Sequence, residues 1–263
     1  MQPSLITVNG RPPAGALAAM DESCVAACNA VVELQQADDE AVALDVLQRV
    51  AGHLHADSAC FVTSVLELPP DRSSLRMLAA CDLAWASDYV RLRRCGCDPW
   101  LRFARRSIEP VLASQLFVEG NEVEAVRTAA EAGMRSVWIV PAPSPFGGHW
   151  ASALYLASST AGYFEGQPAL ARQVKLLAWV LTLQLQQWMR TRLQTELLAS
   201  SGLTGGDIEL LRHEDRRHGS KTIAAALKTE GKTIDCRFQR VNAKLGVANR
   251  REAWRIAKLY GVI

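Results

Sequence analysis

Lys232-Thr233-Ile234-Asp235-Cys236-Arg237-Phe238-Gln239-Arg240-Val241-Asn242-Ala243-Lys244-Leu245-Gly246-Val247-Ala248-Asn249-Arg250 is the stretch on which the reading of the chain turns. Ile234, Phe238, Val241 and Leu245 recur at helical spacing and make one apolar stripe. The exposed side of such a helix offers Thr233, Arg237, Gln239, Arg240 and Lys244, with Lys232 and Asp235 at its start. Upstream, Thr204 suits the cap of a first helix ending near Arg217. Ser220 suits the cap of a second, short and alanine-rich helix ending at Leu227. Residues 228–231 then read as a turn, residues 246–249 as a break, and residues 250–260 as a fourth helix. A short helix, a tight turn and a basic helix with one apolar stripe is the arrangement that enters the major groove of DNA. Arg237 and Arg240 share a face, and guanidinium forks suit a guanine edge or phosphate oxygens. A solvated basic helix in a structural bundle is the alternative.

Charge favours the first reading. The chain carries +2 overall, with 29 Lys and Arg against 27 Asp and Glu. Residues 204–263 alone hold 13 basic and 7 acidic side chains, a surplus of six, so the remainder is at −4. A basic end on a mildly acidic body is the pattern expected when one end meets phosphates.

At 263 residues and 49% hydrophobic composition, the chain can bury one ordinary core and one small one. It has no apolar run long enough to span a bilayer and no export signal at its start, so a cytoplasmic location without a membrane partner is expected. Seven cysteines at irregular spacing do not form a disulfide framework. Cys95-Gly-Cys97 is the one tight pair, and His53-Leu-His55 is too isolated to complete a zinc site with it. Ordinary reduced thiols are expected, with a redox role for Cys95 and Cys97 left open. No nucleophile elbow or phosphate loop is present, so no catalytic residue, metal ligand or cofactor is assigned and an enzyme is not expected.

Residues 1–20 read as a loose arm. Two helices follow, at 22–35 and 40–54, then a strand at 59–68. A helix from 83 to about 95 stops before Asp98-Pro99, which cap and open the next, to about 106. Residues 121–133 look helical. Strands at 137–141 and 150–157 pair across a Pro- and Gly-rich loop, and 167–198 form a long helical cover that also suits a dimer face. The fold class is α+β: an α/β/α sandwich with a small antiparallel sheet over residues 1–198. It is joined through 200–202 to an all-α four-helix unit over 204–263.

That terminal unit resembles the LuxR-type helix-turn-helix. Thr233-Ile234 stand where the family opens its recognition helix. Lys244-Leu245-Gly246-Val247-Ala248-Asn249-Arg250 stand where it closes that helix, with Ala253 three residues on. Leu203-Thr204, Leu211, Ile223-Ala224 and Leu227 match upstream positions. Asp207 replaces the usual Glu, residues 216–219 distort the usual Gly-Lys segment, and Asp235 occupies a position that commonly faces DNA. The resemblance implies double-stranded DNA as partner, read as an inverted repeat by a homodimer, with Thr233, Asp235, Arg237, Gln239, Arg240, Lys244, Lys232 and Arg250 at the contact.

The first 195 residues resemble that family's acyl-homoserine-lactone-binding domain through Trp85-x-x-x-Tyr89 followed by Asp98-Pro99, with Pro110 and Pro141 also in place. By resemblance, Asp98 would accept the ligand amide N–H, the Trp85 indole would donate to the lactone carbonyl, and Tyr89 would line the pocket. Cys81 stands where many members have a ligand-binding Tyr, Ala113 where they have a second Trp, and Val137 where they have a glycine. Trp85 and Tyr89 also suit a plain aromatic core, and Asp98 a plain helix cap. A diverged receptor for an acyl-homoserine lactone or related small molecule therefore stands beside a ligand-independent orphan regulator with a filled pocket, which binds DNA constitutively or pairs with related receptors.

Overall fold

The computed structural model describes residues 22–37, 39–66, 74–144 and 149–263. The arm expected over residues 1–20 lies outside them. Two helices open the described chain, α1 (Glu22–Glu33) and α2 (Glu40–His53), the latter capped by Asp39, whose carboxylate accepts from the Val42 N–H at 2.9 Å. Strands β1 (Ser58–Val65) and β2 (Ser74–Ala80) follow, then helices α3 (Leu83–Arg91) and α4 (Pro99–Ala104). A two-residue strand β3 (Val111–Leu112), helix α5 (Val123–Glu131) and strands β4 (Ser136–Ala142) and β5 (Trp150–Ser158) complete the sheet. It runs β2-β1-β5-β4-β3, with every neighbour antiparallel.

The central position of β5 explains its composition. All nine of its residues are buried, because helices cover both faces of the sheet, and a strand covered twice has no polar side to show. Its alternation still separates two cores. Trp150, Leu154 and Leu156 join Phe61 of β1 and Trp138 of β4 against α1, α2 and the long helix described next. Ala151, Ala153, Tyr155 and Ala157 join Cys60, Val62, Val137 and Ile139 against α3, α4 and α5. The first face is filled by large apolar side chains from the strands. On the second the strands supply mainly small ones, and the helices bring Trp85, Tyr89 and Trp100.

The long helical cover is three pieces: α6 (Pro168–Gln173), a π-helical stretch at Val174–Ala178 and α7 (Trp179–Ser201). Helix α7 runs through the expected linker and ends at Gly202, whose φ of 62° is the left-handed cap that glycine adopts without strain. The connection to the terminal helices is thus residues 202–204, two residues later than the expected 200–202. Those helices are α8 (Gly205–Asp215), α9 (Ser220–Ala226), α10 (Gly231–Leu245) and α11 (Arg250–Leu259). Thr204 caps α8 in a reciprocal box with Asp207, and Asn249 caps α11. Ser220 is not a cap: Gly219 holds that position and the Ser220 hydroxyl donates to Asp235 at 2.6 Å. The terminal helices dock on α7 and the sheet edge. The Gln194 amide donates to the Gly261 carbonyl at 2.6 Å, and the Tyr260 and Ser74 hydroxyls lie 3.4 Å apart.

Two sequence expectations shift. Helix α3 stops at Arg91 rather than near Cys95, because Arg93 turns left-handed at φ 50° and a 3-10 turn, Arg94–Gly96, carries the chain onward. Strand β2 and the two-residue β3 were not foreseen. Among the described residues, no helix is long and apolar enough to cross a membrane.

Candidate functional site

Asp98 is the centre of the second core. It precedes Pro99 at the start of α4, so its carboxylate meets the helix's open N–H groups: one oxygen accepts from Trp100 N at 2.8 Å and Leu101 N at 3.2 Å. The other oxygen accepts from the Tyr89 hydroxyl at 2.5 Å and the Tyr155 hydroxyl at 2.8 Å. Burial pushes the carboxyl above its ordinary value, and the four hydrogen bonds pull the other way. Burial together with the neighbouring Asp98 drives both phenols well above theirs, so they remain donors.

The aromatic rings close around this carboxylate. Trp100 meets Tyr155 edge-on at 5.0 Å between ring centres, and Trp85 lies 5.3 Å from Tyr89. Trp85 is buried, yet its indole N–H has no acceptor. Trp85 lines a cavity of ≈ 10 Å³ with Tyr89, Asp98, Trp100, Val126 and Ala129, about the size of one water. Val137 belongs to the same core, and Cys81 and Ala113 pack against its margin, so all six residues singled out from the sequence gather in one cluster.

Sequence reasoning missed Tyr155, Trp100 and Arg105. A tyrosine inside the apolar run of β5 was the available signal, since a buried phenol requires a partner. Arg105 is half-buried and donates to the Ser64 hydroxyl at 3.0 Å; burial lowers its guanidinium below the ordinary value.

The terminal helices present the second set. Ile234, Phe238 and Val241 are buried, and α10 turns Lys232, Thr233, Gln239 and Arg240 outward. The remaining expected contacts are engaged within the chain. Arg237 donates to the Gly206 carbonyl at 3.2 Å, and the Lys244 ammonium donates to the Gly202 carbonyl at 2.8 Å and pairs with Asp207 at 2.7 Å. Burial alone would raise the Asp207 carboxyl, but Lys244 and Thr204 more than offset it and hold it below its ordinary value. Asp235 accepts from Ser220. Arg250 pairs with Glu214 at 3.2 Å, and its guanidinium carbon sits 5.7 Å from the Phe238 ring centre. Arg237, Arg240 and Lys244 share one hollow with Thr204 and Asp207, at the start of α8.

Residues 39–185 match the sequence profile of the autoinducer binding domain. No curated protein matches the chain. Among solved structures the fold is similar to SdiA in complex with octanoyl-rac-glycerol, at 17% identity over 90% of this chain and 94% of that one, with a TM-score of 0.67. A crystal structure of Escherichia coli SdiA gives 16% identity over 90% and 97%, with a TM-score of 0.67. CepR2 from Burkholderia cenocepacia, an N-acylhomoserine lactone dependent LuxR family transcription factor, gives 18% over 63% and 96%, with a TM-score of 0.50. At these identities the likeness to the solved structures is one of fold.

Proposed function

The chain belongs to the autoinducer-binding-domain family of LuxR-type, non-enzymatic quorum-sensing regulators, and on that premise we propose that it is a cytoplasmic, dimeric transcription regulator. In this reading residues 1–198 sense a small molecule and residues 204–263 bind an inverted repeat in double-stranded DNA. The observation that carries it is the outward face of α10, where Lys232, Thr233, Gln239 and Arg240 stand exposed on a helix anchored by Ile234, Phe238 and Val241. An exposed guanidinium on a helix presented this way can reach a guanine edge, while Arg237 and Lys244 hold the helix against α8.

Two such helices are needed for two half-sites, and the π-helical stretch with the start of α7 offers the apolar surface for pairing. Leu176 of that stretch and Val180 and Leu183 of α7 are 63%, 50% and 41% exposed, with Trp179 beside them. On the sensing side, the unpaired Trp85 indole suits a carbonyl acceptor such as that of an acyl-homoserine lactone or a related small molecule. A ligand acts as a switch when it favours the folded or DNA-competent form. The second reading, ligand-independent DNA binding, is favoured by the four hydrogen bonds that already occupy Asp98 and by the small size of the cavity.

Selection of binding sites from a random duplex library with the full chain tests the DNA role. It should enrich an inverted repeat, and Arg240→Ala should weaken the selected site by about 1–3 kcal/mol and relax preference at one position. No enrichment above a protein-free control would overturn it. Melting the protein against a panel of acyl-lactones separates the two readings of the sensor: a rise in Tm with one lactone supports sensing, and an unchanged Tm across the panel supports ligand independence.

A further inference from the structure

The cavity beside Trp85 has walls of unequal strength. Helix α3 and the start of α4 close it with Trp85, Tyr89 and Trp100, all buried. Those two helices and β5 are tied together where the Tyr89 and Tyr155 hydroxyls meet Asp98. The remaining wall is α5, which brings only Ala125, Val126 and Ala129 to the cavity. Among the described residues of α5, Ala129 alone is buried, so little apolar surface holds the helix in place. A glycine stands at each end. Gly120 opens the 3-10 turn Gly120–Glu122 that leads into α5, and Gly133 follows the helix at φ 91°, a conformation that suits glycine.

What fastens α5 is polar and sits at its entry. Arg102 of α4 donates from Nε to one oxygen of Glu122 at 2.5 Å and from Nη2 to the other at 2.8 Å. The same Nη2 donates to the Phe117 carbonyl at 2.9 Å, and Glu119 lies 3.7 Å from Nη1. Glu122 is 3% exposed and also accepts from the Glu119 N–H at 2.8 Å. A carboxylate so buried is costly without its counterion, so the fork on Glu122 holds the entry of α5 against α4. A second, lighter tie comes from Arg94, which donates to the Thr128 hydroxyl at 3.2 Å.

On the reading of residues 1–198 as a small-molecule sensor, we propose that α5 is the lid of the Trp85 cavity and that the Arg102–Glu122 ion pair is its latch. A space of ≈ 10 Å³ holds one water, so any larger molecule reaches Trp85 there only after a wall moves. Lifting α5 bares Ala129 and unties Arg102 and Arg94. Moving α3 or α4 instead would break phenol bonds to Asp98 and bare aromatic rings. Local opening draws on the least anchored element, and here that is α5. Arg102 and the Asp98 cap belong to the same helix, so the element that carries the sensor carboxylate also carries the catch.

Native-state hydrogen exchange on the full chain, read by mass spectrometry, tests the lid. Amides of residues 123–131 should exchange faster than those of β5 and respond weakly to added urea, because the opening exposes little surface. Glu122→Gln keeps the side-chain shape and removes the charge. It should speed exchange over 123–131 by about ten- to a hundredfold while β4 and β5 stay unchanged. Arg102→Lys keeps the charge but loses the fork, and should fall between the two. Exchange over 123–131 that matches β5 in rate and urea response, or that rises equally across the sensor domain in Glu122→Gln, would overturn the lid. The wild-type comparison decides this even if a variant does not fold. Binding of N-octanoyl-homoserine lactone, followed by stopped-flow tryptophan fluorescence, gives a separate readout. Faster association with Glu122→Gln supports the latch, and equal association with both proteins counts against it. If neither protein binds the lactone, the sensing of that lactone fails while the exchange pattern still decides the lid.

Discussion

Two tryptophans pack against opposite faces of the same sheet and are treated differently by it. Trp150, at the start of β5, is 0% exposed, and its indole N–H donates to the Ser152 hydroxyl at 3.0 Å. That hydroxyl lies 2.9 Å from the Thr63 hydroxyl, so the indole and both hydroxyls are partnered within the chain. Trp85, from α3, is also buried, and its indole N–H is left open beside a cavity of one-water size. Around it the polar groups belong to Asp98, Tyr89 and Tyr155, drawn from three elements onto one carboxylate. A face built only to pack satisfies its donors internally. On the Trp85 face the indole N–H has no acceptor within the chain, and a water is the smallest group that would serve.

The largest effect that separates the two faces should come from Asp98→Ala. The change strips the α4 cap and leaves two buried phenols without an acceptor, a loss of about 3–5 kcal/mol. Urea denaturation measures it, and a loss under about 1 kcal/mol would mean the four-fold acceptor is not the keystone of that face. On the opposite face Trp150→Phe removes ring volume and one donor to Ser152, so about 2 kcal/mol should go, with or without any added small molecule.

Acid titration sharpens the contrast. Burial holds the folded Asp98 carboxyl above its ordinary 3.8, so the folded state keeps that proton more tightly than the unfolded chain does. Its contribution is complete below the unfolded value and is lost as pH rises through the folded one. Asp57, which accepts from the Ser159 N–H and hydroxyl and the Ser158 hydroxyl, is lowered and has the opposite sign: its contribution is present at neutral pH and fades on acidification. The stability of the wild type relative to Asp98→Asn should therefore shrink as pH rises from the acid end, by no more than about 1.4 kcal/mol per pH unit. A flat difference across that range would show that Asp98 does not titrate with folding.

The parts of this molecule that could be read from its sequence are those whose signals are local. The terminal helices announce themselves through Thr204, Gly246 and Asn249 at their ends and through Ile234, Phe238 and Val241 at helical spacing. Trp85, Tyr89 and Asp98 were singled out through a family resemblance that short offsets carry, and the fold brings them together. Strand β2 escaped because Ser74–Ala80 has no β-branched residue, carries Arg76 as its third residue and pairs on one side only, as an edge strand does. Tyr155 escaped because its bond to Asp98 joins residues 57 positions apart. The side-chain locks on Arg237, Lys244 and Arg250 also depend on elements that fold against α10, so sequence spacing grouped all of them with Arg240 as outward-facing.

Trp85→Phe gives the smallest expected change and bears most directly on the comparison. Phenylalanine keeps an aromatic ring against Tyr89 and removes a donor that has no partner, so the loss of ring volume is partly offset by relief from burying an unmet N–H. Net stability without added ligand should stay within about 1 kcal/mol of the wild type, well short of the Trp150→Phe loss. If a lactone raises the wild-type Tm, that rise should fall markedly in Trp85→Phe, because the carbonyl then meets a ring edge with no N–H. A destabilisation matching that of Trp150→Phe would instead mean that the Trp85 indole has an internal partner, and the two faces would no longer differ in kind.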